Sequence, residues 1–299
     1  QEILKRRAAN LDTGAYPEPV RHLLGEMTAA AVLMQSNIKF NGSLVMQIFG
    51  DGPLKLAVVE VQPDLSVRAT AKVVGELDGA QTLSGMVNVK NEGRCAITLD
   101  PLNKLPGQQP YQGVVPLFDD HRNKIDQFSD VLQHYMLQSE QLDTTLVLAT
   151  DDNTAAGLLI QRLPIKGEGN LAAKASMADE DEIGRNEDYN RISILAASLK
   201  SEELLQLDAD TILRRLFWGE KLIRLETLKP RFSCSCSRDR VSNMIRSLGA
   251  DEVESILSER NDVEVGCDFC GQQYRFDAVD AAQIFTSADK QVPGSSAIQ

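Results

Sequence analysis

Four of the five cysteines sit in two tight pairs near the C-terminus: Cys234-Ser235-Cys236 and, after thirty intervening residues, Cys267-Asp268-Phe269-Cys270. No other feature limits the fold as strongly, because the pairs have one obvious common use. A closed structural zinc site takes four tetrahedral ligands, and thiolates are the softest donors a protein offers. A C-x-x-C knuckle converges two sulfurs on one ion. C-x-C is a less usual half-site, but in an extended segment residues i and i+2 share a face. Together the halves supply one complete coordination sphere. Four unrelated buried cysteines, or disulfides of a secreted protein, are the competing readings; the low cysteine content and the compartment in which disulfides persist argue against them. One Zn2+ held by Cys234, Cys236, Cys267 and Cys270 is therefore expected.

The residues between the halves suit a small module. Val241, Ile245 and Leu248 form one apolar helical stripe ending at Gly249, and Val253, Ile256 and Leu257 form another after Asp251. This is too little core to fold alone, so metal binding, worth on the order of 10–16 kcal/mol in small zinc peptides, would supply much of the folding energy. Residues 229–280 carry seven Lys+Arg and ten Asp+Glu. A nucleic-acid-reading finger would instead present a positive surface. The whole chain, with 31 basic and 43 acidic residues and a net charge of −12, points the same way and also away from anionic lipid. Cys267-Asp268-Phe269-Cys270 lacks the βαβ context of a thioredoxin-like centre.

A length of 299 residues, at about 150 per domain, suggests two domains. Val20, Leu23, Leu24, Met27, Ala30, Ala31 and Met34 recur at helical spacing over 19–36. Leu44, Met46 and Ile48 alternate with polar residues, Gly50-Asp51-Gly52-Pro53 makes a turn, and Leu54–Val61 continues as a strand. Ser66–Val73, Arg94–Leu99, Thr144–Leu148 and Gly157–Leu163 also predict strands, with a helical face at Ile125, Phe128, Leu132 and Tyr135 between them. The fold class is thus α+β: a mixed strand and helix N-terminal domain over 1–166, a helical and acidic linker over 167–228, a small four-cysteine zinc module over 229–286 and a tail over 287–299. Lys166–Asn170 is linker-like, and the run 179–188 packs six acids around one Arg, a self-repelling solvated face. The visible start lacks the apolar core of a secretory signal, and the longest early apolar run, Ala29–Met34, is far short of a membrane span. A soluble, cytoplasmic protein is expected.

Other candidates weigh less. Cys95, on a strand pattern, reads as an inert core thiol. His22, His121 and His134 are scattered, with no recognisable nucleophile beside them. Gly50-Asp51-Gly52-Pro53 lacks the G-K-[ST] ending of a phosphate loop, so a hairpin turn is expected. Trp218 beside Phe217, and the apolar stripe from Ile192 to Phe217, read as packing before binding surface. No catalytic residue and no cofactor-binding residue is assigned, and the protein is expected not to be an enzyme.

The cysteine spacing, set in Phe232-Ser233-Cys234-Ser235-Cys236-Ser237-Arg238-Asp239-Arg240 and Cys267-Asp268-Phe269-Cys270-Gly271, resembles the redox-regulated 33 kDa heat-shock chaperone family. The likeness extends to Gln47–Pro53, Tyr111–Val115 and Gln138–Leu142, and so covers nearly the whole chain. Two departures from the family are expected: an additional N-terminal strand region that its members carry is expected to be missing here, and Ala8–Ala15 is longer than usual. The resemblance implies an ATP-independent holdase, inactive when reduced and zinc-bound, that oxidation activates under stress. By positional carry-over it also implies disulfides between Cys234 and Cys236 and between Cys267 and Cys270, zinc release, unfolding of the module, binding of unfolded client proteins and a homodimer when oxidised. The motif alone favours an inert structural zinc site, in an enzyme or an adaptor; the chain-wide resemblance reverses that preference.

Overall fold

The computed structural model describes residues 2–8, 14–77, 82–162 and 187–286. The expected linker Lys166–Asn170, most of the acidic run 179–188, most of Ala8–Ala15 and the tail from Lys290 lie outside the described residues.

After α1 (Glu2–Ala8), the helical spacing at 19–36 becomes α2 (Glu18–Asn37), opened by Pro17 and Pro19 at its first turn. Its apolar stripe faces inward over the full length: Val20, Leu23, Leu24, Met27, Ala30, Ala31 and Met34 are all buried. The chain then meanders through β1 (Gly42–Phe49), β2 (Leu54–Val61) and β3 (Ser66–Val73), passes the short α3 (Leu83–Val87), and returns through β4 (Arg94–Pro101) and β5 (Tyr111–Pro116). With the two-residue β8 (Arg231–Phe232), these form a six-stranded sheet in the order β5-β4-β1-β2-β3-β8. All neighbours are antiparallel except β3 and β8.

The register places one apolar face inward, as a period of two requires. Leu44, Met46 and Ile48 oppose Val61, Val59 and Ala57 on β2, while Ile48 and Met46 oppose Cys95 and Ile97 on β4. All of these are buried. Cys95 is 0% exposed, and burial pushes its thiol up to about 12, so it stays protonated as core filling.

α4 (Phe128–Glu140) closes the core with Phe128, Val131, Leu132 and Tyr135, and the hairpin of β6 (Thr144–Thr150) and β7 (Ala155–Gln161) follows. Ile125, expected on the helical face, precedes the helix and instead donates its backbone N–H to Leu117 O. α2 contacts both sheets. Its approach to the hairpin depends on two glycines: a Cβ at Gly25 would lie 2.7 Å from Thr150 Cγ2, and one at Gly157 would lie 2.8 Å from Leu33 Cδ1.

α5 (Glu187–Ala197), α6 (Ser201–Gln206) and α7 (Ala209–Leu216) carry the apolar stripe of 192–217. Ala196, Leu199, Leu204 and Ile212 are buried, the last three in a small cluster with Val147, Ala149, Ala156 and Leu158 of the hairpin. Phe217 is buried, but Trp218, expected to pack beside it, is 87% exposed. Phe217 is the C-cap of α7 with φ −123° and ψ 33°, and Trp218 lies in the turn beyond it, so the two side chains share no helical face. Leu222, Ile223, Leu225 and Leu228 follow in a stretch without regular secondary structure, and all are exposed.

The chain divides into two compact units, one holding Tyr16–Ser233 and the other holding the chain from Cys234 onward together with an N-terminal segment that begins at Lys5. The second contains α8 (Arg238–Leu248), α9 (Ala250–Arg260), the hairpin of β9 (Asp262–Gly266) and β10 (Gln273–Asp277), and α10 (Ala278–Thr286). Both expected apolar stripes are helices, broken where Gly249 adopts φ +93°. Their core is small: Ile245, Val253, Val263, Phe276, Ala281 and Ile284.

β5, the β9–β10 hairpin, α3 and α10 went unpredicted. On β5 only Val115 is buried, so this edge strand shows no alternation to detect.

Candidate metal centre

Each cysteine pair is shaped by local backbone bonds. Cys234 and Cys236 follow β8, and Ser237 ends the pair by capping α8, its hydroxyl accepting the Arg240 N–H at 3.2 Å. Cys236 therefore lies beside the N-terminal, partially positive end of a helix. Cys267 and Cys270 occupy the turn between β9 and β10. There Cys267 N–H donates to Gln272 O at 2.9 Å and Gly271 N–H donates to Cys267 O at 2.8 Å. Gly271 takes φ +72°, which glycine adopts without the penalty of a Cβ.

The structure brings all four expected residues together. Their sulfurs lie within 4.8 Å of one another, Cys234 Sγ 3.6 Å from Cys267 Sγ and Cys236 Sγ 3.4 Å from Cys270 Sγ. Four sulfurs about 2.3 Å from a tetrahedral centre would be separated by roughly 3.8 Å, so the cluster has the dimensions of one coordination sphere. The two shortest separations cross between the halves. In a tetrahedron every pair is adjacent, so the spacing selects no disulfide pairing.

Electrostatics supports the same use. Burial raises the Cys234 thiol, but the Cys236 backbone N–H and bonds with the neighbouring thiols outweigh it and hold the group below the ordinary thiol range. Burial pushes Cys267 and Cys270 upward, despite N–H donors from Phe269 and Cys270 to the first and from Gln272 to the second. Only part of the cluster ionises readily by itself, since like charges this close oppose one another. A bound divalent cation would remove that opposition and deprotonate every sulfur.

Two contacts were not foreseen. The Tyr274 hydroxyl donates to Cys236 Sγ at 3.2 Å, and that bond pushes the phenol up to about 12. Arg238 is committed away from the sulfurs: its guanidinium lies 4.2 Å over the Phe276 ring and pairs with Asp280 at 2.7 Å. A long-range pair leaves no spacing signal; the only sequence hint for Tyr274 is its position four residues after Cys270 on an alternating strand.

The weaker candidates resolve simply. Gly50–Pro53 is the β1–β2 turn, and Asp51 accepts backbone N–H bonds from Val89, Lys90 and Glu92 at 2.6–2.9 Å. Its own carboxylate fills the amide cradle that a phosphate would need. His22 lines a cleft, His121 lies in an exposed turn, and His134 Nε2 is 4.0 Å from Asp120.

A family model described as Hsp33 protein matches residues 4–277. This chain belongs to the Hsp33 family. The 33 kDa chaperonin of Chromobacterium violaceum is 45% identical over 285 residues, covering 95% of this chain and 85% of that protein. Another Hsp33 relative, the 33 kDa chaperonin of Methylobacillus flagellatus, is 43% identical over 274 residues, covering 91% and 84%. Among solved structures, the 33 kDa chaperonin (heat shock protein 33 homolog) of Thermotoga maritima matches with a TM-score of 0.70 at 20% identity, covering 97% of this chain and 91% of that one. The Hsp33 fold and the expected α+β class with its C-terminal four-cysteine cluster therefore agree. No helix among the described residues is long and apolar enough to cross a membrane.

Proposed function

We propose that this protein is a redox-regulated, ATP-independent holdase, inactive while its four thiolates hold one Zn2+ and active once they are oxidised. The observation that carries the reading is the convergence of Cys234, Cys236, Cys267 and Cys270 in a chain whose curated relatives are named chaperonins. An all-thiolate tetrahedral set suits zinc. Bound there, the ion would tie α8, α9 and the β9–β10 hairpin around a core of only six buried apolar residues.

The thiols supply the switch. A thiolate attacks a peroxide oxygen, the O–O bond breaks, and a sulfenic acid forms with release of water after protonation. A second thiolate displaces the sulfenic oxygen, again lost as water, and the disulfide forms. Two thiolates, one hydrogen peroxide and two protons thus give one disulfide and two waters. Pairing Cys234 with Cys236 and Cys267 with Cys270 is the arrangement the family resemblance implies. Once oxidised, the sulfurs no longer have the thiolate charge that holds the ion, and the module loses its main source of folding energy.

In this reading 1–166 is the chaperone core, 167–228 a linker, 229–286 the redox module and 287–299 a tail. The clients are unfolded, aggregation-prone proteins; the exposed Trp218, Ile223 and Leu225 offer apolar surface of the required kind. The oxidised form is a homodimer, the compartment is the cytoplasm, and neither nucleic acid nor membrane is a partner. The test is the heat-induced aggregation of a model client with peroxide-treated protein and with reduced, zinc-loaded protein. Suppression by the oxidised form alone supports the holdase. Equal aggregation in both, with zinc retained under peroxide, would leave an inert structural module in an enzyme or adaptor.

A further inference from the structure

Beside the thiols themselves, which bond one another, the four sulfurs meet hydrogen-bond donors of two kinds. Cys234 accepts the backbone N–H of Cys236, Cys267 accepts those of Phe269 and Cys270, and Cys270 accepts that of Gln272. These donors belong to the turns themselves and no side-chain substitution removes them. Cys236 differs. Its donor is a side chain from another element, the Tyr274 hydroxyl on β10, 3.2 Å from Sγ. Tyr274 pairs with Val265 across the hairpin, and its ring packs against the module's buried core. The hydroxyl is therefore held in place by the ring and strand behind it.

We propose that Tyr274 is a positioning residue that guards Cys236, so that the Tyr274 hydroxyl sets which sulfur of the first half-site reacts first with peroxide. The proposal rests on the redox-switch reading. An O–H donor draws on the sulfur lone pair that must attack the peroxide O–O bond, and it occupies one direction of approach. Cys236 is thereby made the slower nucleophile and Cys234 the faster. Cys234 sulfur then forms the S–O bond as the O–O bond breaks, hydroxide leaving to be protonated to water. Cys236 closes the disulfide by attacking that sulfenic sulfur, displacing a second hydroxide that also leaves as water. The peroxide takes two electrons, one from each sulfur. Orienting bonds of this kind commonly govern the behaviour of a metal-ligating side chain.

The experiment uses the full reduced, zinc-loaded chain and its Tyr274→Phe variant, which deletes one oxygen and keeps the packed ring. Hydrogen peroxide is added, zinc release is followed with a metallochromic dye, and early sulfenic acids are trapped with a dimedone probe and mapped by mass spectrometry. The expected result is release about threefold faster or more in Y274F, with the early label moving from Cys234 toward Cys236. Release to a chelator without oxidant stays at the parent rate. An unchanged peroxide rate and label pattern overturns the proposal, as does a chelator rate that rises as much as the peroxide rate, which marks a merely structural role. Ring-fluorinated tyrosine at position 274, a stronger donor of the same shape, should slow release; if it does not, the proposal fails even where Y274F folds poorly. If peroxide leaves the parent's thiols and zinc untouched, the switch reading itself falls, and the role of Tyr274 with it.

Discussion

Arg231 Nη2 lies 2.5 Å from Asp64 Oδ2, three residues ahead of the first cysteine of the cluster. Asp64 is in the β2–β3 turn, where the Ser66 backbone and side chain hold its carboxyl below the usual carboxylate range. Beside this pair, Arg231 N–H donates to Leu65 O and Ser233 N–H donates to Val67 O, each at 3.1 Å. The two-residue β8 thereby pairs with the first two residues of β3, Ser66 and Val67, at an edge that would otherwise present unpaired backbone groups there. The residue that ends this pairing is followed directly by Cys234.

The Asp64–Arg231 pair is solvent-exposed, so its contribution is below about 1 kcal/mol. Asp64→Ala is expected to lower amide-exchange protection at Arg231–Ser233 by less than about fivefold, with zinc stoichiometry unchanged. A loss of zinc in this variant would contradict the assignment of the pair to the sheet edge.

Zinc removal should unfold the second unit and spare the first. Six buried apolar residues form the core of the one, whereas the first has an extensive buried core along α2, β1–β4 and α4. Chelation of the reduced protein is expected to collapse the amide NMR dispersion of α8–α10 while the signals of β1–β4 persist. Cys270→Ser, which removes one of four ligands, should lower zinc affinity enough to give the same spectrum without chelator.

Cys95 should behave unlike the other four thiols. Fully buried and pushed up to about 12, it offers no thiolate near neutral pH. Alkylation of the zinc-free protein is expected to modify Cys234, Cys236, Cys267 and Cys270 first, and Cys95 only in denaturant. Reaction of all five at similar rates would show that the core of the first unit opens readily.

Glu26 introduces a pH dependence. It lies on α2 at the wall of a cleft of about 930 Å³, near Glu18, His22, Glu76 and Asp126. Burial raises its carboxyl from 4.5 to about 7. The folded state thus holds this proton more tightly than the unfolded state. The associated stability is fully present below the unfolded value of 4.5 and is lost as pH rises through about 7. The loss is at most about 3 kcal/mol. Glu26→Gln should remove this contribution, making the variant more stable than the parent at pH 8 and nearly equal to it at pH 4.5. Urea unfolding at the two values measures the difference; parallel losses in both proteins would assign the pH dependence to other groups.

Much of this molecule was legible in local pattern. The α2 stripe repeats a helical period over about four turns, and Leu44-Met46-Ile48 repeats a strand period, because each element buries a single face. The two cysteine pairs are short enough for backbone geometry to converge each of them, so the four-sulfur centre followed from spacing. β5 escaped notice because an edge strand with one buried residue has no periodic signature, and the exposure of Trp218 depended on where the chain leaves α7.

What the sequence determined by itself is the α+β class, the four-plus-one division of the cysteines and the identity of the cluster residues, since each depends on residues close along the chain or on their repeat. Only the tertiary structure decided that Tyr274 donates to Cys236, that Arg238 is committed to Phe276 and Asp280, and that Arg231 is paired with Asp64. These contacts join residues 38, 38, 42 and 167 positions apart. Such contacts exist only after the backbone has folded, because a hydrogen bond or ion pair needs its partners within a few ångströms and no local pattern encodes that distance.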